Sequence, residues 1–212
     1  MYVTAHTLNR VLPPEFAHAQ GWPDQVLQLL PGTPVAWWAG PQLGSSSGAM
    51  VTVWGTQAEA RAAAECEGGT VSRVTVSPAR AYELDGVEPL TDHAVAPGVM
   101  QLTWFTGPRT QAHRRADELA DARVVAALGD LPGLCGAIRC DAEDNARLLI
   151  SFADSEQTLR QALSRIMATR LGPDEDPALL TGPDVVQVCA VVAGSGSFEA
   201  AALSAVQAGG VR

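Results

Sequence analysis

His6, in the first predicted strand, is the side chain best suited to acid–base chemistry. Its imidazole titrates near neutral pH, so it can serve as a general base or ligate the iron of a haem. An offset of 98 residues between the two halves of the sequence, taken from their capping patterns, places His6 opposite Trp104 and Thr4 opposite Leu102. Alternate residues of a strand share a face, so His6 and Trp104 are predicted to line one cavity. The alternative is a histidine at a strand end that bonds to solvent or to the backbone.

Two tryptophans and an arginine are the candidates for substrate binding. Trp37 and Trp38 are adjacent in a predicted strand, so one faces the helices and the other faces the opposing sheet. Trp38 and Trp104 are interpreted as flat apolar walls for an aromatic substrate. Arg139 falls opposite Trp38 when two Leu-Pro-Gly motifs are superposed, and its guanidinium is suited to hold a carboxylate or a phenolate. The alternatives are tryptophans packed in the core and an arginine that faces solvent.

Several common kinds of site have no sequence signature here. The cysteines at 66, 135, 140 and 189 form no Cys-x-x-Cys pair, and no His-x-x-x-His pair occurs, so no metal site is predicted. The glycine- and serine-rich runs 44–48 and 194–197 lack the Gly-Lys-Ser/Thr ending of a phosphate loop. Widely spaced, buried free thiols favour a reducing, cytoplasmic setting.

The elements that must position these residues occur twice, about 100 residues apart, which makes the repeating unit a whole α+β module. The motif at 30–32 returns at 131–133, and the strand-like segment 51–56 returns at 149–154. In each copy a capped helix is predicted to follow that strand. The capping residues are Thr56 and Glu59 in the first copy and Asp154 and Gln157 in the second.

Each half is predicted to follow the order strand–helix–strand–strand–helix–strand. The first half has strands at 2–8, 34–40, 49–54 and 71–76, with helices at 15–30 (interrupted at 21–23) and 57–67. The second half has strands at 99–106, 134–140, 146–152 and 185–192, with helices at 111–128 and after 154. Residues 77–97 are read as the connection between modules. The predicted domains are 1–95 for the first module with its connector, 96–193 for the second, and 194–212 for a flexible Ala/Gly-rich tail.

The composition excludes some classes of partner. Of the 212 residues, 47% are hydrophobic and 17% are charged, which is typical of a globular chain. A net charge of −9 with scattered basic residues argues against nucleic-acid binding. The N-terminus lacks the pattern of a signal peptide, and the apolar stretch 185–193 is too short to span a membrane. A cytoplasmic protein without nucleic-acid or membrane partners is therefore expected.

The segment 148–157, a strand that runs into a capped helix, resembles the dimeric α/β-barrel superfamily and most closely its antibiotic-biosynthesis-monooxygenase type. A fainter copy lies at 50–59, and the resemblance covers most of residues 1–193. It implies an α+β fold in which two tandem ferredoxin-like βαββαβ modules pack sheet to sheet into one α/β barrel. Members include cofactor-independent oxygenases, haem-degrading enzymes, isomerases and stress proteins, so the fold alone does not assign a reaction.

Three functional hypotheses remain open. The first is a cofactor-independent, monooxygenase-like enzyme that acts on a small apolar or aromatic molecule in the barrel cavity, with His6 as its base. The second is a non-enzymatic ligand-binding or stress-type protein, whose barrel cavity is filled by side chains such as its tryptophans or holds a ligand passively. The third is a haem-binding protein with His6 as axial ligand and Arg139 nearby. A monomeric pseudo-dimer or a homodimer is expected, with a site in at most one half.

Overall fold

The strands and helices of the chain follow the periodicity of its apolar residues. The computed structural model describes residues 1–11, 21–66, 69–71, 73–89, 96–107 and 109–195. The first half contains β1 (Tyr2–Asn9), α1 (Trp22–Leu29), β2 (Ala36–Pro41), β3 (Ser47–Trp54), α2 (Gln57–Ala64), β4 (Thr70–Val71), β5 (Val74–Val76) and β6 (Ala81–Pro89). The second half contains β7 (Val99–Phe105), α3 (Gln111–Leu128), β8 (Leu134–Asp141), β9 (Arg147–Ala153), α4 (Glu156–Ala168), β10 (Val185–Ala190) and β11 (Ala193–Ser195). The first part of the predicted helix at 15–30, residues 15–20, and the tail beyond 195 lie outside the described residues.

One large antiparallel sheet runs through both halves in the order β10-β7-β9-β8-β6-β1-β3-β2-β11. When the strands of each half are counted separately, both halves have the same order across the sheet: fourth, first, third, second. These strands are β6-β1-β3-β2 in the first half and β10-β7-β9-β8 in the second. Helices cover the outer face of each half, and the inner faces of the two halves share one core. The predicted α+β fold with two ferredoxin-like modules is therefore confirmed.

The two halves meet along two unequal seams. At the first seam, β6 pairs with β8 over an extended register from Glu83↔Asp141 to Pro89↔Gly136. At the second seam the contact is shorter: β2 pairs with β11 from Ala193↔Ala39 to Ser195↔Trp37, and a single bridge pair joins Gln42 to Cys189 of β10. Gly40 permits this approach, because a Cβ atom at that position would lie only 1.4 Å from the carbonyl oxygen of Ala190.

The fourth strand of the first half differs from the prediction. The segment predicted as a strand at 71–76 forms the short hairpin of β4 and β5, and the segment 77–97, predicted as a connector, contains the nine-residue strand β6. Both β5 and β6 pair with β1 on the same edge, β5 near Leu8 and β6 near Val3. The fourth-strand position is thus filled by two strands in succession, interrupted at 77–80. At the far end, Gly194 and Ser195, predicted as tail, belong to β11 and pair with β2.

The repeated turns of both halves and the helix cap of the first half lie where the sequence predicted them. The helix cap of the second half lies one residue further along the chain. Gly32 and Gly133, the glycines of the two Leu-Pro-Gly motifs, have φ of 88° and 81°, which explains why both motifs end in glycine. Thr56 and Glu59 form the predicted capping box of α2. The N-cap of α4 is Ser155, which accepts from the backbone N–H of Thr158. The prediction of Asp154 and Gln157 as the capping pair is wrong by one position.

Large side chains fill the space inside the barrel. Trp38 and Phe152, from opposite halves, lie with ring centroids 4.8 Å apart. Around them lie buried aliphatic residues from both sheets, together with Cys135, Cys140 and Cys189. Burial raises the pKa of Cys135 to about 11 and that of Cys189 to about 12, so these thiols stay protonated. All four cysteines are free, as predicted.

Candidate functional site

The strand ladders define which residues of the two halves occupy equivalent positions. In the first half Thr52 pairs with Thr4 on one side and with Trp37 on the other. In the second half Ser151 pairs with Gln101 and with Ala137 in the same way. Equivalent rows of the outer face are therefore Trp37–Thr52–Thr4 and Ala137–Ser151–Gln101.

The next rows along the strands follow from the same ladders. In one direction, Ala39–Met50–His6 corresponds to Arg139–Leu149–Thr103. In the other direction, Tyr2↔Trp54 corresponds to Val99↔Ala153.

His6 lies on the outer, helix-covered face of the first half and not inside the barrel. It alternates with Val3 and Ala5, which belong to the inner core, and it pairs with Met50, which belongs to the apolar layer under the helices. The side chain is 1% exposed, and Nδ1 lies 3.0 Å from the carbonyl oxygen of Ser77. Burial lowers the pKa of His6, and the hydrogen bond to Ser77 offsets part of that effect. Its Nε2 atom has no hydrogen-bond partner among the residues that the structure describes.

Trp38 and Trp104 do lie on the inner face, but His6 does not join them. Trp38 is 3% exposed and packs on Phe152, whereas Trp104 is partly buried at the edge of the same core. Trp37 faces the helices, as the alternation predicted for one of the adjacent pair. The expectation that His6 and Trp104 share a face is wrong. The catalytic role of His6 and the binding roles of Trp38 and Trp104 stay predictions.

Arg139 is placed on the outer face of the second half, on the opposite side of the sheet from the inner core that holds Trp38. Its guanidinium lies 3.1 Å from Glu88, 3.6 Å from Asp85 and 3.9 Å from Asp121. The residue equivalent to Trp38 is Ile138, because each pairs with the matching residue of the third strand, Val51 or Ile150. Superposing the Leu-Pro-Gly motifs therefore misplaces this strand by one residue, which exchanges its two faces.

A cavity of about 140 Å³ lies between the outer face of the second half and helices α3 and α4. Its middle is the row Gln101–Ser151–Ala137. Its apolar end is formed by Leu128, Leu134, Leu159 and Ala162, and its charged end by Glu88, Asp121 and Arg139. The cavity is thus a mostly apolar slot with hydrogen-bonding groups on its floor and ionisable groups at one end, as small-molecule sites commonly are.

The cavity occupies a place that tryptophans fill in the first half. Trp37 and Trp54 are 7% and 0% exposed there, and both pack in the layer under the helices. The equivalent residues of the second half are Ala137 and Ala153. Replacing two indoles by two methyl groups removes side-chain volume between sheet and helices, and Ala137 lines the resulting cavity. The hollow therefore follows from residue type at unchanged strand order.

A network of ion pairs closes the charged end and holds α3 against the sheet. Arg147 lies 3.3 Å from Asp121 and 3.7 Å from Asp117, and Arg109 lies 2.6 Å from Asp117. Burial raises the pKa of Asp121, although the guanidinium groups of Arg147 and Arg139 oppose that shift. A carboxylate with a raised pKa can accept a proton from a bound ligand, and the neighbouring arginine can then hold the ligand anion that remains.

The geometry does not fit a haem held by His6. That imidazole is buried under the helices of the first half, away from the cavity, with Nδ1 bound to Ser77. The lining residues that the structure describes include no histidine or cysteine. Within the described ranges no group of three or more His, Cys, Asp or Glu is arranged to hold a metal ion. No helix in these ranges is both long and apolar enough to cross a membrane.

The sequence reasoning missed Gln101, Ser151 and Asp121. The first two are polar residues in strands whose neighbours are apolar, and this alternation was the available signal. Asp121 lies within a helix rich in charged residues, where no local pattern distinguishes it. Its role depends on contacts with Arg139 and Arg147, which are remote in sequence.

Comparison with solved structures identifies the same fold in other proteins. A candidate monooxygenase from Fusobacterium nucleatum is 7% identical, with a TM-score of 0.56 over 92% of this chain and 94% of that chain. A candidate monooxygenase from Lactobacillus acidophilus is 10% identical, with a TM-score of 0.56 over 92% and 97%. An anthrone oxidase-like protein is 15% identical, with a TM-score of 0.52 over 93% of each chain. No protein-family model and no curated protein matches the sequence. At these identities the likeness establishes the fold alone.

Proposed function

Because the chain has the ferredoxin-like fold of the monooxygenase-like proteins, we propose that it binds a small apolar molecule between the sheet and the helices of its second half and oxidises it with molecular oxygen. The observation that supports this proposal best is the 140 Å³ cavity, which combines an apolar end with Asp121 and Arg139 at the other. The proposal moves the site from the inside of the barrel, where Trp38 and Phe152 fill the space, to its outer face.

The chemistry assigned to the charged end is a proton transfer. A weakly acidic group of the substrate gives its proton to Asp121, whose pKa is raised by burial, and Arg139 stabilises the anion that remains. The apolar walls exclude water from the reacting carbon. Oxidation of an activated CH₂ group to C=O incorporates one oxygen atom of O₂ into the substrate. The other oxygen atom leaves as water with the two hydrogens of the CH₂ group, so the substrate itself supplies the electrons and no further reductant is needed.

The test is ligand binding and oxygen uptake with a panel of one-, two- and three-ring phenols and ketones. Ala137→Trp fills the cavity with the residue that the first half has at the equivalent position, and Ala126→Trp adds the same side chain at an exposed site on α3. We expect at least tenfold weaker binding in the first variant and unchanged binding in the second. Equal binding in both would place the ligand elsewhere.

Asp121→Asn separates binding from chemistry. The proposal predicts that this variant still binds the ligand, since the apolar end is intact, and that its oxygen uptake falls by a factor of about 10²–10⁴. Binding without oxygen uptake in the wild type would support the non-enzymatic alternative, a passive ligand-binding protein. Haemin belongs in the same panel: a haem absorption band that is lost in His6→Ala would support the haem alternative.

A further inference from the structure

The first half of the molecule shows what the cavity of the second half lacks. The indole of Trp54 is fully buried between sheet and helices. Its Nε1–H donates to Oγ1 of Thr4 at 3.1 Å, and that hydroxyl lies 2.6 Å from Oγ1 of Thr52. An aromatic ring with one N–H donor therefore satisfies the polar groups on the floor of this half.

The second half keeps the polar floor but not the ring. Ala153 stands where the first half has Trp54, while Gln101 and Ser151 stand where it has Thr4 and Thr52. The side-chain nitrogen of Gln101 donates to Oγ1 of Thr103 at 3.3 Å, which leaves its oxygen free to accept. Ser151 Oγ has no side-chain partner among the described residues. These groups are half-buried at the middle of the cavity, where a ligand reaches them.

The remaining volume limits the size of that ligand. Counting from the N-caps Thr56 and Ser155, helix α4 has Leu159 and Leu163 where α2 has Ala60 and Ala64. The buried Leu159 returns part of the volume that the missing tryptophans vacate, while Leu163 lies at the rim of the cavity. What remains is about 140 Å³. An apolar cavity of about 150 Å³ holds a molecule of the size of benzene.

We propose that the ligand of this cavity is a neutral molecule with a single aromatic ring, one O–H or N–H donor and, as a further substituent, the CH₂ group that is oxidised; phenol is its simplest analogue. The ring lies against Leu134 and Leu159, at the apolar end of the cavity, and its donor bonds to Gln101. This inference rests on the proposed function for the location of the site and narrows its substrate class. Ala137, which lines the cavity where the first half has Trp37, becomes a residue that sets the size limit.

The orientation follows from the rows of the sheet. The row that contains Arg139 lies two residues beyond the row of Gln101 and Ser151, roughly 7 Å along the strands. A ring at the apolar end with its donor at Gln101 therefore directs any further substituent toward Asp121. The same placement keeps the ring itself away from the charged groups, whose desolvation by an apolar ligand would be unfavourable.

The experiment is calorimetric titration of the wild type with phenol, toluene and anthrone. Phenol and toluene have similar size and differ in the donor, and anthrone adds two rings. We expect phenol to bind roughly fivefold more tightly than toluene, the effect of one neutral hydrogen bond, and anthrone to bind most weakly. Gln101→Met removes the acceptor at similar volume. It should abolish the preference for phenol and leave toluene binding unchanged.

Ala137→Trp supplies the indole that the first half has at Trp37 and should abolish binding of both one-ring compounds. If that variant fails to fold, the smaller change Ala137→Leu tests the same point. Tighter binding of anthrone than of phenol would overturn the size limit and leave the proposed function standing. Equal binding of phenol and toluene, or a preference that survives in Gln101→Met, would overturn the donor assignment. Binding of no compound would overturn this inference and the proposed function together.

Discussion

The two halves of the molecule share a strand order but cover their outer faces with different chemistry. In the first half Trp22, Trp37 and Trp54 fill the space between sheet and helices. In the second half, alanines leave a cavity, and α3 buries only Ala116 and Leu128 along its length. Instead, Arg139 and Arg147 of the sheet pair with carboxylates of that helix, and Arg109, just before the helix, pairs with Asp117. The layer between sheet and helices is therefore solid, that is, fully packed, in the first half, and hollow, that is, interrupted by a cavity, in the second.

This difference shows how a duplicated architecture can separate stability from binding. An apolar layer stabilises the folded state roughly in proportion to the apolar area that it removes from water. A void in such a layer lowers the free energy of unfolding. Buried ion pairs add little net stability, but they fix the position of a helix because leaving one partner alone is unfavourable. The ion pairs therefore hold α3 at a distance from the sheet that a collapsed apolar layer would not keep.

The largest effect is expected where the solid layer is broken. Trp54→Ala removes a fully buried indole and the donor to Thr4, and it should lower the free energy of unfolding by about 4 kcal/mol. Chemical denaturation measures this loss. Trp104→Ala, at a partly buried position, is the matched control and should cost clearly less. Similar losses in both variants would contradict the distinction between a solid layer and the rest of the molecule.

The second prediction concerns the ion pairs of the hollow half. Arg109 is 8% exposed, pairs with Asp117 at 2.6 Å and stacks 5.0 Å from the ring of Phe105. Arg109→Met strips the nearest partner from a buried carboxylate and should cost about 3 kcal/mol in denaturation experiments. Arg160→Met breaks an exposed pair with Glu156 and should cost less than about 0.5 kcal/mol. Equal costs would mean that the buried pairs do not hold α3.

A smaller effect depends on pH and belongs to the solid half. The pKa of His6 is lowered by burial, so in acid the unfolded chain binds a proton that the folded chain does not. Stability should therefore fall as the pH drops below about 6.5, by at most about 1.4 kcal/mol per pH unit. His6→Thr introduces the residue found at the equivalent position of the other half. Unfolding curves at several pH values should show a weaker dependence in this variant, and an unchanged dependence would assign the effect to other groups.

The smallest effect is expected at the rim of the cavity. Leu163 is 60% exposed, and Leu163→Ala introduces the residue that the first half has at the equivalent position. The free energy of unfolding should change by less than about 0.5 kcal/mol, since little apolar area is buried there. A loss of 2 kcal/mol or more would show that α4 closes on the sheet in solution and that the cavity is smaller than described.

The alternation of apolar residues and the repeated motifs were enough to predict most of the element order of each half, and the resemblance to the α/β-barrel superfamily implied how the halves pack. Elements such as α3 at 111–128 were predicted at their observed bounds because its apolar stripe has a clear helical period. Strand β6 was missed because it carries charged residues at Glu83, Asp85 and Glu88, which mask the pattern of a strand. It forms because its backbone pairs with β1 on one side and β8 on the other.

The candidate site could not be placed from the sequence because no single offset relates the two halves. Equivalent residues differ in number by 97 for Thr4 and Gln101, by 99 for Thr52 and Ser151, and by 100 for Trp37 and Ala137. The differences arise in connecting segments, whose lengths leave no periodic signal. Since side chains alternate, an error of one residue moves His6 from the outer face to the inner one.

The unequal seams of the barrel have a consequence for how it opens. Where β6 meets β8, a long run of backbone hydrogen bonds protects the amides, whereas at the other seam β2 pairs only with the three-residue strand β11 and bridges β10 at one position. Amide hydrogen exchange should therefore be slower along the first seam than along the second. The molecule has one long seam and one short seam, and the short one is expected to open first. Either half expressed alone would present two bare strand edges, so separated halves are expected to aggregate instead of folding independently.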